Sequence, residues 1–271
     1  MQILHISDIH FRRRYEAAQD GYAAVLYRMT NPLTLLDRCL EQAFLEHPGI
    51  GLVMITGDLC DDGKAEDYEA LRAYLERNLR GAEVVVTVGN HDRKDEFRRG
   101  WLGVMPKDDG EGNLAYNVHF NGGELDVLSL DSAVFGESDG RFVQGQADWL
   151  EAELKKAGDK PSFLMTHHHL LDAHEGIRAV ACPEKIAQLV KESRITAVMA
   201  GHTHHCFAGR WQDRPYYTSD GMSFYGIDGM GSVRFEEKYG YNYYETTQGV
   251  VTASEQRTFS ENRELANIIF F

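Results

Sequence analysis

Five short apolar runs of the chain each open onto side chains able to bind a metal ion. Ile3 to Ser7 leads into Asp8 and His10, Leu52 to Thr56 into Gly57-Asp58, and Val84 to Val88 into Gly89-Asn90-His91-Asp92. Phe163 to Thr166 leads into His167-His168-His169, and Ala197 to Ala200 into Gly201-His202-Thr203-His204. Mixed carboxylate, amide and imidazole donors suit Mn, Fe, Zn or Co better than Ca or Mg, and the lack of thiolates argues against a structural zinc.

Read one at a time, these motifs stay open to blander explanations. Asp8 and Asp58 fit a turn or a helix cap, and Gly89-Asn90 fits a turn that needs unusual backbone angles. Two apart beyond a strand, Asp8 and His10 can also face one cation if the chain stays extended. Asn90 can offer its amide oxygen, with His91 turned toward a substrate, while His202 and His204 supply two imidazoles. Three successive histidines cannot all serve one pair of ions. His167, the first beyond its strand, is taken as the ligand, His168 as its support and His169 as structural or exposed. Asp92 and Asp131 read as supports, and His5, His47, His119, His174 and His205 receive no function.

The elements that must position these groups alternate along the first 200 residues. Asn31-Pro32 caps a helix carrying the stripe Leu33, Leu36, Leu40 and Phe44, which Pro48-Gly49 stops. Further helices are expected over Lys64 to Leu79, Gln146 to Lys156 and Pro183 to Lys191, and a short helix or loop over Arg93 to Gly103. A turn is expected at Gly110 to Asn113, and a hairpin pairs Tyr116 to Phe120 with Leu125 to Leu130. Phe11 to Tyr27 and Leu170 to Ala181 read as loops that would shape substrate choice. Strands that all deliver polar groups at their carboxyl ends converge on one sheet edge, where open α/β folds place ligands.

We read residues 1–271 as one domain, with the ligand motifs inside 3–204 and a β-rich segment over 205–271 that offers no obvious ligand. A hydrophobic content of 43% supports a packed core, and a formal net charge of −14 argues against a nonspecific nucleic-acid surface, which needs Lys and Arg to neutralise phosphates. No run approaches the roughly 18 to 20 apolar residues of a membrane span, and Asp8 leaves no room for a signal peptide ahead of it. Cys39, Cys60, Cys182 and Cys206 show no CxxC spacing, so reduced thiols in a cytoplasmic protein are expected. The apolar end Ile268-Ile269-Phe270-Phe271 is expected to be buried in the monomer, with a homo-oligomer interface as the alternative.

Taken together and in this order, DxH, GD, GNHD, H and GHxH resemble the calcineurin-like metallophosphoesterase superfamily over residues 3 to 204. Ile6 to Phe11, Thr56 to Leu59, Leu130-Asp131-Ser132 and the His167 run are similar to its cyclic nucleotide phosphodiesterase and glycerophosphodiesterase branch, although Leu170-Leu171 stand where that branch often carries prolines. The resemblance implies a four-layer α/β/β/α sandwich. It also implies that Asp58 bridges two metals, with Asp8, His10 and His204 completing one site and Asn90, His167 and His202 the other. His91 would stand outside the coordination shell near the leaving group, and Arg12, the first of three arginines after Phe11, is a candidate for steering phosphate.

The expected chemistry is hydrolysis of a small phosphodiester by in-line attack of a hydroxide bridging two divalent ions about 3.5 to 4 Å apart. Ions bringing about +4, offset by roughly 3 negative charges, leave a cationic pocket in an acidic protein. The alternatives are a nuclease, a phosphomonoesterase or protein phosphatase of the same superfamily, and a non-catalytic metal-binding scaffold.

Overall fold

The computed structural model describes residues 1–105, 115–172, 177–229 and 231–269. In chain order the elements are β1 (Gln2–Ile6), α1 (Gly21–Arg28), α2 (Pro32–Glu46), β2 (Ile50–Thr56), α3 (Ala65–Asn78), β3 (Glu83–Thr87), α4 (Lys94–Gly100), β4 (Val118–Asn121), β5 (Asp126–Ser129) and α5 (Gln146–Ala157). They continue with β6 (Ser162–Met165), α6 (Glu184–Glu192), β7 (Ile195–Ala200), β8 (Phe207–Trp211), β9 (Arg214–Thr218), β10 (Tyr225–Gly229), β11 (Ser232–Thr247) and β12 (Val250–Ile269).

Local chemistry accounts for most of these boundaries. The Asn31 side chain accepts the Leu33 amide at 2.9 Å, and Pro32 opens α2 without leaving a donor unused. Asp67 reaches back to accept the Lys64 amide at 2.9 Å, which fixes the first turn of α3. The hairpin forms as β4 and β5, with Asn121 paired to Asp126 across the turn. The turn expected at Gly110 to Asn113, and His174, lie outside the described residues.

Two sheets form the centre. The first runs β10-β11-β1-β2-β3, with β12 on the other edge of β11; β1, β2 and β3 are parallel and β11 is antiparallel to β1. The second runs β4-β5-β6-β7-β9-β8, and its central pairs from β5 to β9 are parallel. Ile3, Met54 and Val85 of the first sheet pack against Val127, Phe163, Met165 and Met199 of the second. Each such side chain taken from water contributes about 1.5–3 kcal/mol. Leu36, Leu40, Leu71 and Leu75 of α2 and α3 cover the outer face of the first sheet, and Leu150, Ile186 and Val190 of α5 and α6 that of the second. The expected α/β/β/α layering is therefore the observed one.

Two expectations are corrected. Residues 21–28, read as loop, form α1, because Val25, Leu26 and the half-buried Tyr22 pack on Phe224, Phe235, Leu265 and Ala266. This helix lacks a side-chain cap and starts at Gly21, so its stability comes from that tertiary contact rather than from a local signal. At the chain end Ile268 packs on the same cluster, but Ile269 is 60% exposed and not buried as expected; Phe270 and Phe271 lie outside the described residues.

Candidate metal centre

All five strand ends meet at one place. Asp8 and His10 follow β1, Asp58 follows β2, Asn90 and His91 follow β3, His167 follows β6, and His202 and His204 follow β7, so both sheets contribute. Close approach of neighbouring strand ends sets the glycines. A Cβ on Gly89 would lie 2.0 Å from Asp58 Oδ1, and one on Gly201 would lie 2.0 Å from Ser7 Oγ. Gly201 thus lets two neighbouring strand ends approach closely.

The backbone here is unusual. Asp8, His10, Asp58, His202 and His204 all have positive φ, between 47° and 69°. L-residues rarely occupy this region, at a cost of about 1–3 kcal/mol each where the conformation is strained, and such residues cluster at functional sites. Asp8 and His10 therefore reach one point through left-handed turns and not through an extended chain.

Second partners determine which ring nitrogens carry protons. His204 Nδ1 donates to the Phe224 carbonyl at 2.7 Å, and His10 Nδ1 lies 3.0 Å from Asp61 Oδ2. Their Nε2 atoms are then lone-pair bearing, yet they face each other at 3.1 Å. His167 repeats the pattern: Nδ1 donates to the Thr56 carbonyl at 2.7 Å, and Nε2 confronts Asn90 Oδ1 at 3.1 Å. Between the two clusters, Asp58 Oδ2 stands 3.5 Å from His10 Nε2 and 3.5 Å from His167 Nε2. Asp8 Oδ1 is buried without a hydrogen-bond partner, 3.6 Å from His204 Nε2. Acceptors converging on acceptors are repulsive without a cation, so this donor set fits divalent metal ions.

The ligand atoms of Asp8, His10, Asp58 and His204 all lie within 4.8 Å of one another, and those of His167, His168 and His202 form a second such group. Burial, then the neighbouring imidazoles, holds the His202 and His168 pKa values well below the ordinary histidine range. These rings stay neutral with lone pairs available. His168 is a close neighbour, its ring 4.4 Å from that of His202 and its Nδ1 2.9 Å from Ser132 Oγ. His169 is fully buried and not exposed, with Nε2 3.2 Å from the Ile177 carbonyl.

Asp61 was invisible in the motifs and is the hub of the surrounding layer. Its Oδ2 lies 3.0 Å from His10 Nδ1, 3.2 Å from His91 Nδ1 and 2.6 Å from the Tyr22 hydroxyl. Burial would raise the Asp61 pKa, but the bonds from His10 and His91 outweigh it and hold the group ionised. For His91 burial lowers the pKa, yet Asp58 and Asp61 overcome that and raise it to about 9. His91 stands at the rim, its side chain 31% exposed, beside the ligand set. Its proximity to Asp58 offered a sequence signal; Tyr22, from α1, had none.

Other singled-out residues have structural partners. Asp92 accepts the amides of Leu59, Cys60 and Gly89 and the Tyr68 hydroxyl, which locks the GNHD turn to the GD turn. Asp131 pairs with Lys94 at 2.7 Å. Arg12 is tied to Asp61 through its carbonyl and, at 3.4 Å, its carboxylate, while Arg13 pairs with Asp67. Among the described residues the β-rich segment supplies no side chain to the two ligand groups of this centre, but its Phe224 carbonyl orients His204.

Residues 1–206 match the calcineurin-like phosphoesterase family, and the chain belongs to it. Among its relatives, a probable cyclic nucleotide phosphodiesterase of Rhodococcus erythropolis is 28% identical over 75% of this chain and 64% of its own length. The glycerophosphodiester phosphodiesterase GpdQ of Enterobacter lignolyticus is 27% identical over 76% of this chain and 71% of its own. The chain thus spans about two thirds of the length of these relatives. A dimetal phosphatase from Danio rerio has the same fold, with a TM-score of 0.57 at 13% identity over 96% of this chain and 98% of that one. No described helix is long and apolar enough to cross a membrane.

Proposed function

We propose that the protein hydrolyses a small phosphodiester at a centre of two divalent ions, Mn, Fe, Zn or Co. The observation that carries this reading is Asp58 Oδ2, placed at 3.5 Å from Nε2 of both His10 and His167, midway between two clusters of opposed lone pairs. Asp8, His10 and His204 would hold one ion, Asn90, His167 and His202 the other, and Asp58 would bridge them. Two ions bound there would draw charge from the phosphoryl oxygens and acidify a water.

The remaining work falls to the chain. Asp61 holds His91 by Nδ1, and the charged imidazole gives its proton to the departing alcohol oxygen, an effect worth about 10²–10⁴ in rate. Arg12, braced by Asp61 and with its side chain 25% exposed, adds positive charge to the approach. The names of the relatives favour diesters, cyclic nucleotides or glycerophosphodiesters, over monoesters. A cytoplasmic setting goes with this reading and is supported by four unbridged cysteines.

The test is a panel of cyclic nucleotides, glycerophosphodiesters, phosphomonoesters and single-stranded DNA, run with each candidate metal. Diester turnover at least tenfold above monoester and DNA turnover supports the proposal. A preference for monoesters or DNA would overturn it.

A further inference from the structure

Among the described residues, two cavities open beside the ligand set with an aromatic ridge between them. The larger, about 410 Å³, is lined by Asn90 and His91 together with Arg12, Tyr22 and Phe135. The smaller, about 280 Å³, is lined by His202 and His204 with Phe224, Gly226, Val233 and Phe235. Tyr22 belongs to the first wall and Phe224 to the second. Their rings touch edge to face at 5.8 Å, and Phe224 stacks on His204 at 4.5 Å and leans on His10 at 5.1 Å. Each cavity therefore reaches the ligand side chains from its own side of the Tyr22–Phe224 ridge.

We infer that the substrate is an acyclic phosphodiester with an organic group on each ester oxygen, the leaving alcohol seated in the larger cavity and the retained apolar group in the smaller. The inference rests on the phosphodiesterase reading above. Direction follows from His91, which lines only the larger of the two cavities and is held there through Nδ1 by Asp61 at 3.2 Å. A water oxygen bonds to phosphorus as the bond to the leaving oxygen breaks. The departing oxygen takes up a proton on the side of the larger cavity, the water gives one up to solvent, and an alcohol and a phosphomonoester result. The retained ester must then point elsewhere, and the smaller cavity offers Phe224, Phe235 and Val233, surfaces suited to an apolar or aromatic group. A cyclic diester carries both ester oxygens on one fused ring, so it cannot straddle the ridge. A monoester leaves the smaller cavity unused.

Two diesters with the same leaving group, methyl p-nitrophenyl phosphate and benzyl p-nitrophenyl phosphate, isolate the retained side. The manganese-loaded protein is expected to favour the benzyl ester by at least tenfold in kcat/KM, and to hydrolyse 3′,5′-cyclic AMP at least tenfold less well than the benzyl ester. A Cβ on Gly226 would meet Val233 Cγ1 at 3.4 Å and Phe235 Cε1 at 3.7 Å, ordinary contacts, so Gly226→Leu projects its side chain toward the surfaces that line the smaller cavity. That variant is expected to bring the benzyl-to-methyl ratio to within threefold of unity, whereas Phe135→Ala, on the leaving side, should lower both esters alike. Equal rates on the two esters, a ratio unmoved by Gly226→Leu, or efficient cleavage of the cyclic diester would overturn the two-cavity assignment alone. Failure to cleave any diester would overturn the phosphodiesterase reading and this inference with it.

Discussion

Nε2 of His10 and Nε2 of His204 lie 3.1 Å apart, each ring having spent its Nδ1 proton elsewhere, on Asp61 and on the Phe224 carbonyl. A carboxylate and a backbone carbonyl thereby fix both tautomers, and the lone pairs they aim at one point define a cation site.

That relationship makes Asp61 a positioning residue. Asp61→Asn keeps the shape but replaces a charged acceptor on His10 and His91 with a neutral amide. The expected result is a fall of about 10–100-fold in kcat or in metal affinity. Metal titration alongside kinetics measures both, and wild-type values for each would contradict the assignment.

In the proposed reaction His91 is the proton donor. Because its pKa lies at about 9, set by burial opposed and outweighed by Asp58 and Asp61, it is charged at neutral pH and loses that charge as pH rises. Bound metal would reduce the contribution of Asp58 and bring the value down. A kcat profile for a diester should therefore descend on its alkaline side at or below pH 9. In His91→Ala this descent should disappear, with kcat about 10²–10⁴ lower and the metal content unchanged. Loss of metal in that variant would make His91 a ligand instead.

Acid stability depends on His5, buried beneath the site. Thr56 Oγ1 donates to Ser7, so His5 Nε2–H donates to Thr56 at 2.9 Å, and Nδ1 faces the Tyr244 hydroxyl at 3.3 Å. Burial lowers its pKa to about 3. Between pH 3 and 6.5 the unfolded chain binds a proton there and the folded chain does not. Stability contributed by the neutral ring is thus complete above pH 6.5 and declines as pH falls, by up to about 1.4 kcal/mol per unit. Urea unfolding of the metal-free protein from pH 7 to 4 should show a steeper decline in the wild type than in His5→Gln. Parallel slopes would refute this.

Much of the candidate centre could be read from short motifs because each proposed ligand sits within four residues of the strand end that aims it, as Asp58 does after β2 and His202 after β7. The four layers were an expectation from the resemblance those motifs carry, not from the alternation of strand and helix, which speaks only for an α/β fold. What could not be read comes from distant segments or from backbone angles. Tyr22 reaches Asp61 only because α1 is packed against β12, at the far end of the chain, and the Phe224 carbonyl finds His204 through a fold-level approach. The left-handed turns at Asp8, His10, Asp58, His202 and His204 put non-glycine residues where local preference would not. Around Arg12 too the sequence was silent, since a charge run says nothing of the carboxylates of Asp61 and Asp62 that engage it.

The most direct test is metal content measured with turnover on one sample. The protein stripped by chelator and reloaded with manganese or zinc should regain hydrolysis of a p-nitrophenyl diester in proportion to bound metal, saturating at two ions per chain. Asp58→Ala should retain one ion or none and lose at least 10³-fold in kcat. Full turnover by the stripped protein, or two ions retained with unimpaired rate in Asp58→Ala, would contradict a bridged dinuclear centre.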